Sequence, residues 1–126
     1  MDPIVAILSE DYRRFPKDQT YEIYAENVYF EDPLNRFYGV ARYRQMIGWM
    51  AQWFDTPRID LETIERQENT IKTQWTLHWK APLPWKPPIA ISGWSELQLD
   101  DQNLIVSHID YWNCSRLDVV KQHFGR

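Results

Sequence analysis

The sequence predicts an α+β fold in which helices cover one face of an antiparallel sheet. Three observations support this class. Two stretches with apolar residues at helical spacing lie before residue 55. From residue 58 to residue 112, apolar and polar residues largely alternate, as they do in half-buried strands. Residues 115–124 return to helical spacing, so helices flank a run of strands that must share one core with them.

The first helix is predicted over residues 3–15. Asp2 is a typical N-cap, and Pro3 is favoured at the first helical position. Apolar side chains recur at helical spacing at Ile4, Leu8, Tyr12 and Phe15. Pro16 ends this helix, because the residue before a proline avoids helical backbone angles. A second, short helix is predicted over residues 19–25.

A short strand and a long helix follow. Residues 28–32 are rich in β-formers and stop at Pro33. Phe37 and Tyr38 are extended, and Gly39 allows a sharp turn into a helix over residues 40–54. Its apolar stripe comprises Val40, Tyr43, Ile47, Met50 and Phe54, widened by Met46, Trp49 and Trp53. The stripe exceeds the arc that a sheet alone covers, so the helix must also contact the first helix, a ligand or a second subunit.

Four antiparallel strands are predicted next, over residues 58–68, 70–80, 89–99 and 104–112. A change of phase at Ile64 predicts a bulge in the first of them, and Gly93 predicts a bend or bulge in the third. The proline-rich residues 81–88 predict a stiff, extended connection.

A last helix is predicted to begin at Ser115, where a capping pattern occurs. Its inward face is predicted to carry Leu117, Val120 and Phe124.

Composition and charge exclude several classes of protein. The 126 residues carry a net charge of -4, which disfavours a nucleic-acid partner. They contain no apolar run long enough for a transmembrane helix and no signal-peptide pattern. The single cysteine, Cys114, fits a reducing compartment, so a cytoplasmic location is expected. Seven Trp, seven Tyr and five Phe indicate either a core of large flat side chains or a cavity lined with them.

Two segments resemble a known superfamily. Residues 24–33, YAENVYFEDP, followed by Gly39 and the long helix, resemble the opening of SnoaL-like domains. Residues 103–113, NLIVSHIDYWN, resemble their closing strand, although Asn113 stands where many relatives have Asp. The resemblance is to the NTF2-like superfamily. It implies a single domain over residues 1–126, shaped as a cone in which helices pack on the concave face of a strongly curved antiparallel sheet.

The aromatic middle of the chain is similar to a narrower family of NTF2-like proteins, the DUF2358 type, found in cyanobacteria and plastids. This part includes PLPWKPP at residues 82–88 and SGWS at residues 92–95. The superfold hosts enzymes, binding modules and assembly proteins, so the resemblance is more informative about fold than about function.

Three residues are candidates for chemistry. Asp32 lies among aromatic residues that could raise its pKa, although aspartate before proline is also a common turn residue. His108 and Asp110 lie two apart on one strand and therefore share a face. That face is expected to line the cone interior, but the opposite face is also apolar and the assignment could be reversed. A hydrogen-bonded core pair is the alternative to a proton-transferring pair acting with Asp32.

Aromatic residues are candidates for ligand contact. We predict that the pocket is lined by Tyr12, Phe30, Trp49, Trp53, Trp75, Trp79, Trp94 and Trp112. Trp75, Trp79 and Trp94 could form a cage for a flat or isoprenoid-like ligand, or they could belong to the core or a dimer interface. The histidines and the cysteine lack metal-ligand spacing, so no metal and no cofactor are expected.

The sequence thus predicts an aromatic-lined pocket for a small apolar organic molecule. An enzymatic role would be cofactor-free acid–base chemistry such as isomerisation, cyclisation or dehydration. One carboxylate would take a proton while a Tyr or His stabilises the developing oxyanion. The alternative is a non-catalytic interaction or assembly protein that forms homodimers through tryptophans on the outer sheet face.

Overall fold

A computed structural model describes residues 2–124, which form three α-helices and one six-stranded sheet. The elements, in chain order, are α1 (Pro3–Arg14), a single 3-10 turn (Tyr21–Ile23), β1 (Tyr24–Glu31), β2 (Arg36–Tyr38), α2 (Val40–Trp53), β3 (Asp55–Gln67), β4 (Thr70–Lys80), β5 (Pro88–Leu99), β6 (Ile105–Trp112) and α3 (Arg116–Gln122). The strand order is β2-β1-β6-β5-β4-β3. Every pair is antiparallel except β1 with β6, which run parallel.

The helices pack on the concave face of the curved sheet, which confirms the predicted α+β, NTF2-like fold. α1 packs mainly on β3, α2 on β1 and β3, and α3 on β5. Alternation along the strands decides which side chains face inward, because successive residues point to opposite faces. In β4, for example, Ile71, Thr73, Trp75 and Trp79 are buried, and the residues between them are partly or fully exposed.

Three clusters of buried side chains form the core. One joins α1 to the sheet through Ile4, Leu8 and their neighbours. A second surrounds Trp75 and Trp79, where the Phe54 ring stacks on the Trp79 ring with centroids 4.5 Å apart. A third surrounds Phe30 and lies under α2.

The predicted helix over residues 19–25 is wrong. Only one 3-10 turn forms, because the hydroxyl and the amide of Thr20 donate to the buried Asp11 carboxylate. Tyr24 then enters the sheet opposite Ile105, so its pairing with β6 overrides the local helical pattern.

Two expectations about the middle of the chain also need correction. Residues 81–87 do not form one extended connection: the Leu83 and Lys86 amides donate to the Ala81 and Leu83 carbonyls, so the chain turns before β5 begins at Pro88. Gly93 causes no bulge with β4, since the register is continuous through it. A Cβ at this position would lie 2.3 Å from the Tyr111 carbonyl oxygen and 2.7 Å from the Trp75 ring, so glycine is required for close approach. The bulge predicted near Ile64 is confirmed by a register shift between Leu61 and Thr63.

The last helix begins where predicted, but it turns a different face from the predicted one toward the core. Ser115 and Asp118 form a reciprocal capping box, which confirms the start of α3. The face predicted to be buried is exposed, at Leu117, Val120 and Phe124. Val119 points inward instead, and the Gln122 side chain bonds the amide and carbonyl of Ala90. These two anchors fix the rotation of the helix. No helix in the described part of the chain has the length and apolarity needed to cross a bilayer.

Candidate active site

A cavity of about 730 Å³ lies between the concave face of the sheet and the helices, and it opens to solvent at one end. Its walls are mainly apolar and come from all three core clusters. The polar side chains on its walls are few, and they include Tyr12, Asp32, Ser95, His108, Asp110 and Arg116. The cavity is therefore an apolar space with localised polar groups, as is usual for small-molecule sites.

A hydrogen-bonded chain of side chains forms the buried end of this cavity. The Trp75 indole N–H donates to Ser95 Oγ at 2.8 Å, and the Ser95 hydroxyl donates to Asp110 Oδ1 at 2.5 Å. His108 Nε2 lies 2.8 Å from the same carboxylate oxygen. Since the carboxylate accepts, His108 Nε2 carries the proton in this pair. Three adjacent strands, β4, β5 and β6, thus hold the imidazole in one orientation.

The other ring nitrogen of His108 is buried without a partner. His108 is 6% exposed, and Nδ1 has no hydrogen-bond partner within the described residues. Phe30, Tyr24 and Tyr43 surround the imidazole, with ring centroids 5.2 to 6.2 Å away. Burying a polar atom without a hydrogen bond costs free energy. In the neutral ring with its proton on Nε2, Nδ1 carries a lone pair, and His108 is one of the residues that line the cavity.

Tyrosine hydroxyls complete the polar part of the wall. Burial raises the pKa values of Tyr12, Tyr24 and Tyr43, and the Asp110 charge raises each of them further. The Tyr12 hydroxyl is also 2.9 Å from the Thr73 hydroxyl. These phenols stay protonated at ordinary pH and can donate hydrogen bonds to a ligand.

Asp32 lies on the same cavity, in the turn after β1. Burial raises the pKa of its carboxyl, and the charge of Asp110 adds to the rise, while hydrogen bonds from Leu34 and Asn35 oppose it. Its Oδ1 accepts the amides of Leu34 and Asn35 at 2.8 and 2.6 Å. Asp32 is therefore a turn-capping residue that also faces the cavity. Arg116, at the start of α3, donates to the Pro33 carbonyl and joins that helix to the turn.

Asp11, a buried acid on the cavity wall, is committed to structure. Asp11 accepts the Thr20 amide and hydroxyl at 3.0 and 2.8 Å, and it pairs with Arg14 at 2.9 Å. Within residues 2–124, no three His, Cys, Asp or Glu side chains are arranged so that they could hold a metal ion.

The structure brings together most of the predicted site residues, but not all. Asp32, His108 and Asp110 line one cavity, and so do Tyr12, Phe30, Trp49, Trp75, Trp79 and Trp112. Trp53 and Trp94 do not. Trp94 is adjacent to inward-facing Ser95, so strand alternation places it on the outer face, where it stacks on Tyr111 at 4.1 Å. The cage of Trp75, Trp79 and Trp94 therefore does not exist. Trp53 is exposed, one turn beyond Trp49 on α2.

Sequence reasoning missed Ser95, which links Trp75 to Asp110. The sequence contained a signal for Ser95, because it lies an even number of residues from the apolar Ile91 and Leu97 and therefore shares their face of β5. A small polar residue on the inward face of a strand requires a buried partner, and Ser95 lies opposite Asp110 in the register.

Comparison with known proteins places the chain by family and by fold. A family model described as "Uncharacterized conserved protein (DUF2358)" matches residues 2–108. No curated protein sequence matches the chain.

Several solved structures share the fold at low sequence identity. A protein with a ketosteroid isomerase-like fold from Catenulispora acidiphila has 14% identity and a TM-score of 0.77, over 96% of this chain and 92% of that one. An LEH-like epoxide hydrolase of M. tuberculosis has 13% identity and a TM-score of 0.73, over 96% and 89%. The epoxide hydrolase/cyclase-like enzyme SalBIII, described in pyran ring formation in salinomycin, has 18% identity and a TM-score of 0.71, over 86% and 88%.

Proposed function

Because this chain belongs to the DUF2358 family and has the NTF2-like fold, we propose that its cavity binds a small, mostly apolar organic molecule and moves a proton on it without a cofactor. One observation carries the proposal. The buried Nδ1 of His108 lacks a partner, while Nε2 is held by Asp110. A ligand with a hydroxyl, an N–H or an acidic C–H would supply the missing partner.

In this proposal each polar group has a role. His108 Nδ1 takes the proton from the ligand, and the Asp110 carboxylate stabilises the resulting imidazolium through Nε2. Where the ligand is a ketone, the electron pair of the broken C–H bond moves onto its oxygen. A buried tyrosine hydroxyl, from Tyr24 or Tyr43, donates to that oxyanion. Where the ketone is β,γ-unsaturated, the electron pair on the oxyanion returns through the conjugated system as the proton is delivered to the γ-carbon, which completes an isomerisation and regenerates neutral His108.

Asp32 has a secondary role in this scheme. Its turn occupies one carboxylate oxygen with two backbone donors, so it is less free to take a proton than His108. We propose that it contacts the ligand as a polar group on the cavity wall, near the opening.

The structural neighbours support the fold on which this proposal rests. They include an epoxide hydrolase, an epoxide hydrolase/cyclase-like enzyme and a protein of ketosteroid isomerase-like fold. All are under 25% identical to this chain, so they support the fold and leave the reaction to experiment.

A matched pair of probes tests ligand binding at His108. α-Naphthol and naphthalene share an apolar ring system that fits the cavity, but only α-naphthol can donate a hydrogen bond to Nδ1. Calorimetric titration should show tighter binding of α-naphthol, by about tenfold. His108→Phe removes the acceptor nitrogen, so the two probes should then bind the variant with nearly equal affinity. Equal affinities in the wild-type protein, or no binding of either probe, would overturn the binding role.

Proton transfer is tested with α-tetralone, a flat ketone with exchangeable protons beside its carbonyl. In D₂O, the wild-type protein should accelerate the loss of that proton signal by about 100-fold over buffer. His108→Gln should remove the acceleration, and Asp110→Asn should reduce it while α-naphthol still binds. Equal exchange in the His108→Gln variant would show that His108 is not the base.

A non-catalytic dimer is the second candidate, and the outer sheet face favours it. That face carries the stacked Trp94–Tyr111 pair and the Tyr29–Tyr38 pair, whose centroids are 5.1 Å apart. A second copy would bind through these aromatic side chains. Light scattering on the wild-type protein and on Trp94→Ser would detect it. A wild-type monomer at micromolar concentration would exclude this candidate.

A further inference from the structure

The opening of the cavity is surrounded by exposed apolar side chains. Leu34, Trp49 and Val120 line the cavity and are nevertheless 65%, 55% and 52% exposed. They come from three separate elements: the turn after β1, the end of α2, and α3. Further exposed apolar residues lie beside these three, namely Trp53, Trp85, Leu117 and Phe124. We call these seven residues the rim.

Contacts and helical spacing tie the outer four residues to the opening. Trp53 lies one turn after Trp49, and Leu117 lies three residues before Val120, so each shares a helix face with a lining residue. The Trp85 indole donates to the His123 carbonyl at 2.8 Å and lies 6.3 Å from the Phe124 ring, and His123 borders the cavity.

The distribution of exposed apolar residues is strongly uneven. Eight large hydrophobic side chains are exposed within residues 2–124, and seven of them form the rim. The eighth, Tyr38, lies on the outer sheet face. Exposed apolar side chains that are gathered at one opening indicate a site that is covered in use, and singly scattered ones do not.

We propose that the rim docks on a lipid surface and that the ligand of the cavity is an amphiphile taken from that surface. This inference rests on the proposed function, because it assumes that the cavity is filled from its opening. A protein bound over the rim would close the opening. A lipid surface covers the same side chains and also supplies an apolar ligand.

The arrangement of polar groups fixes how such an amphiphile would lie. The unpartnered His108 Nδ1 and the tyrosine hydroxyls are at the buried end, and the rim is apolar. The ligand therefore enters with its polar head first and leaves its apolar chain at the opening. Arg116 and Lys121 lie on α3 beside the rim, and within residues 2–124 neither has a carboxylate within salt-bridge distance. They favour anionic lipid.

Vesicle flotation of the full chain tests the docking. We would use phosphatidylcholine vesicles with and without phosphatidylglycerol. The wild-type protein should float with both and bind the anionic vesicles more tightly. A triple variant, Trp53→Ser, Leu117→Ser and Phe124→Ser, changes only rim residues that do not line the cavity, and its partition coefficient should fall by about tenfold or more. Tyr38→Ser, which removes the exposed side chain outside the rim, is the matched control and should bind like the wild-type protein.

The outcomes separate docking from ligand binding. A wild-type protein that floats with neither vesicle overturns the docking proposal, as does a triple variant that floats unchanged. A wild-type dimer that the triple variant converts to a monomer, without vesicle binding, would show that a second copy covers the rim. α-Naphthol titration of the same samples judges the proposed function independently, because the triple variant leaves the cavity wall intact.

Discussion

The two ends of the cavity are built differently. The buried end is formed by side chains from three adjacent strands whose register is fixed by the sheet, and its polar groups bond one another. The open end is formed by a turn and two helices, and it carries exposed apolar side chains together with the polar Asp32 and Arg116. The buried end therefore fixes the orientation of the His108 ring, while the open end is the part of the cavity that solvent reaches.

The largest expected effect is at Gly93, which packs closely against the Trp75 ring. An added methyl group at Gly93 would meet the Tyr111 carbonyl and the Trp75 ring. Gly93→Ala should therefore lower the free energy of unfolding by about 3 kcal/mol, since backbone must shift. Gly48→Ala is the matched control: no atom lies within 4 Å of its added methyl group, and it replaces glycine inside a helix. It should raise stability by about 0.5–1 kcal/mol in the same urea titrations.

A smaller loss of stability is expected at the hydrogen-bonded pair of His108 and Asp110. Asp110→Ala leaves His108 Nε2 and the Ser95 hydroxyl without their shared acceptor. We expect a loss of about 2 kcal/mol, less than for a fully buried pair because the Asp110 side chain is 20% exposed. Asp110→Asn keeps an acceptor oxygen and should recover part of the stability. Unfolding curves that coincide for the alanine variant and the wild-type protein would show that the buried end is not a coupled network.

Asp32 should show a modest and pH-dependent effect. Asp32→Ala removes the turn bonds to Leu34 and Asn35 and should cost about 1 kcal/mol. Because burial raises the pKa of Asp32, the folded protein holds this proton more tightly than the unfolded chain does. The stabilisation is full below the ordinary pKa of aspartate and is lost as pH rises through the raised value.

The cost of Asp32→Ala should thus be larger at about pH 4 than at about pH 7 in urea titrations. Asp32→Asn is the control, because the asparagine side chain keeps an acceptor oxygen but does not gain or lose a proton in this pH range. A cost that instead increases with pH would mean that folding favours the carboxylate form of Asp32. The surroundings of Asp32 at the open end would then stabilise its negative charge.

The smallest effect is expected on the rim. Leu117→Ser should change the free energy of unfolding by less than about 0.5 kcal/mol, because the side chain is already exposed. Val119→Ala, two residues away and buried, should cost about 1–2 kcal/mol. A large loss from Leu117→Ser would mean that the rim stabilises the fold and would remove the reason to assign it a docking role.

Much of the fold could be predicted from the sequence, since alternation and capping act locally. The period-two pattern of residues 70–80 corresponds to β4, and Ser115 begins α3 as its capping box requires. The rotation of α3 could not be predicted, because it depends on Val119 and on the bonds from Gln122 to Ala90, thirty-two residues away in sequence. The helix expected at residues 19–25 failed for a similar reason, since β6 pairs with Tyr24.

The candidate site was predictable in part. Two-residue spacing placed His108 and Asp110 on one face, but their pattern did not decide which face turns inward. Trp94 was predicted to line the pocket, but it lies on the outer face. It lies two residues from Ser92 and from Glu96, which also face outward, so the alternation along the strand already indicated this face. The convergence of Asp32 with β6 depends on the parallel pairing of β1 with β6, which only the folded sheet reveals.

The free Nδ1 of His108 is the feature on which the proposed chemistry depends, and long-range ¹H–¹⁵N NMR of the histidine rings measures it directly. We predict that His108 carries its proton on Nε2 and that α-naphthol shifts the Nδ1 resonance, while naphthalene changes it little. A proton on Nδ1 in the neutral ring, or a resonance that responds to neither probe, would contradict the assignment of this cavity as an acid–base site.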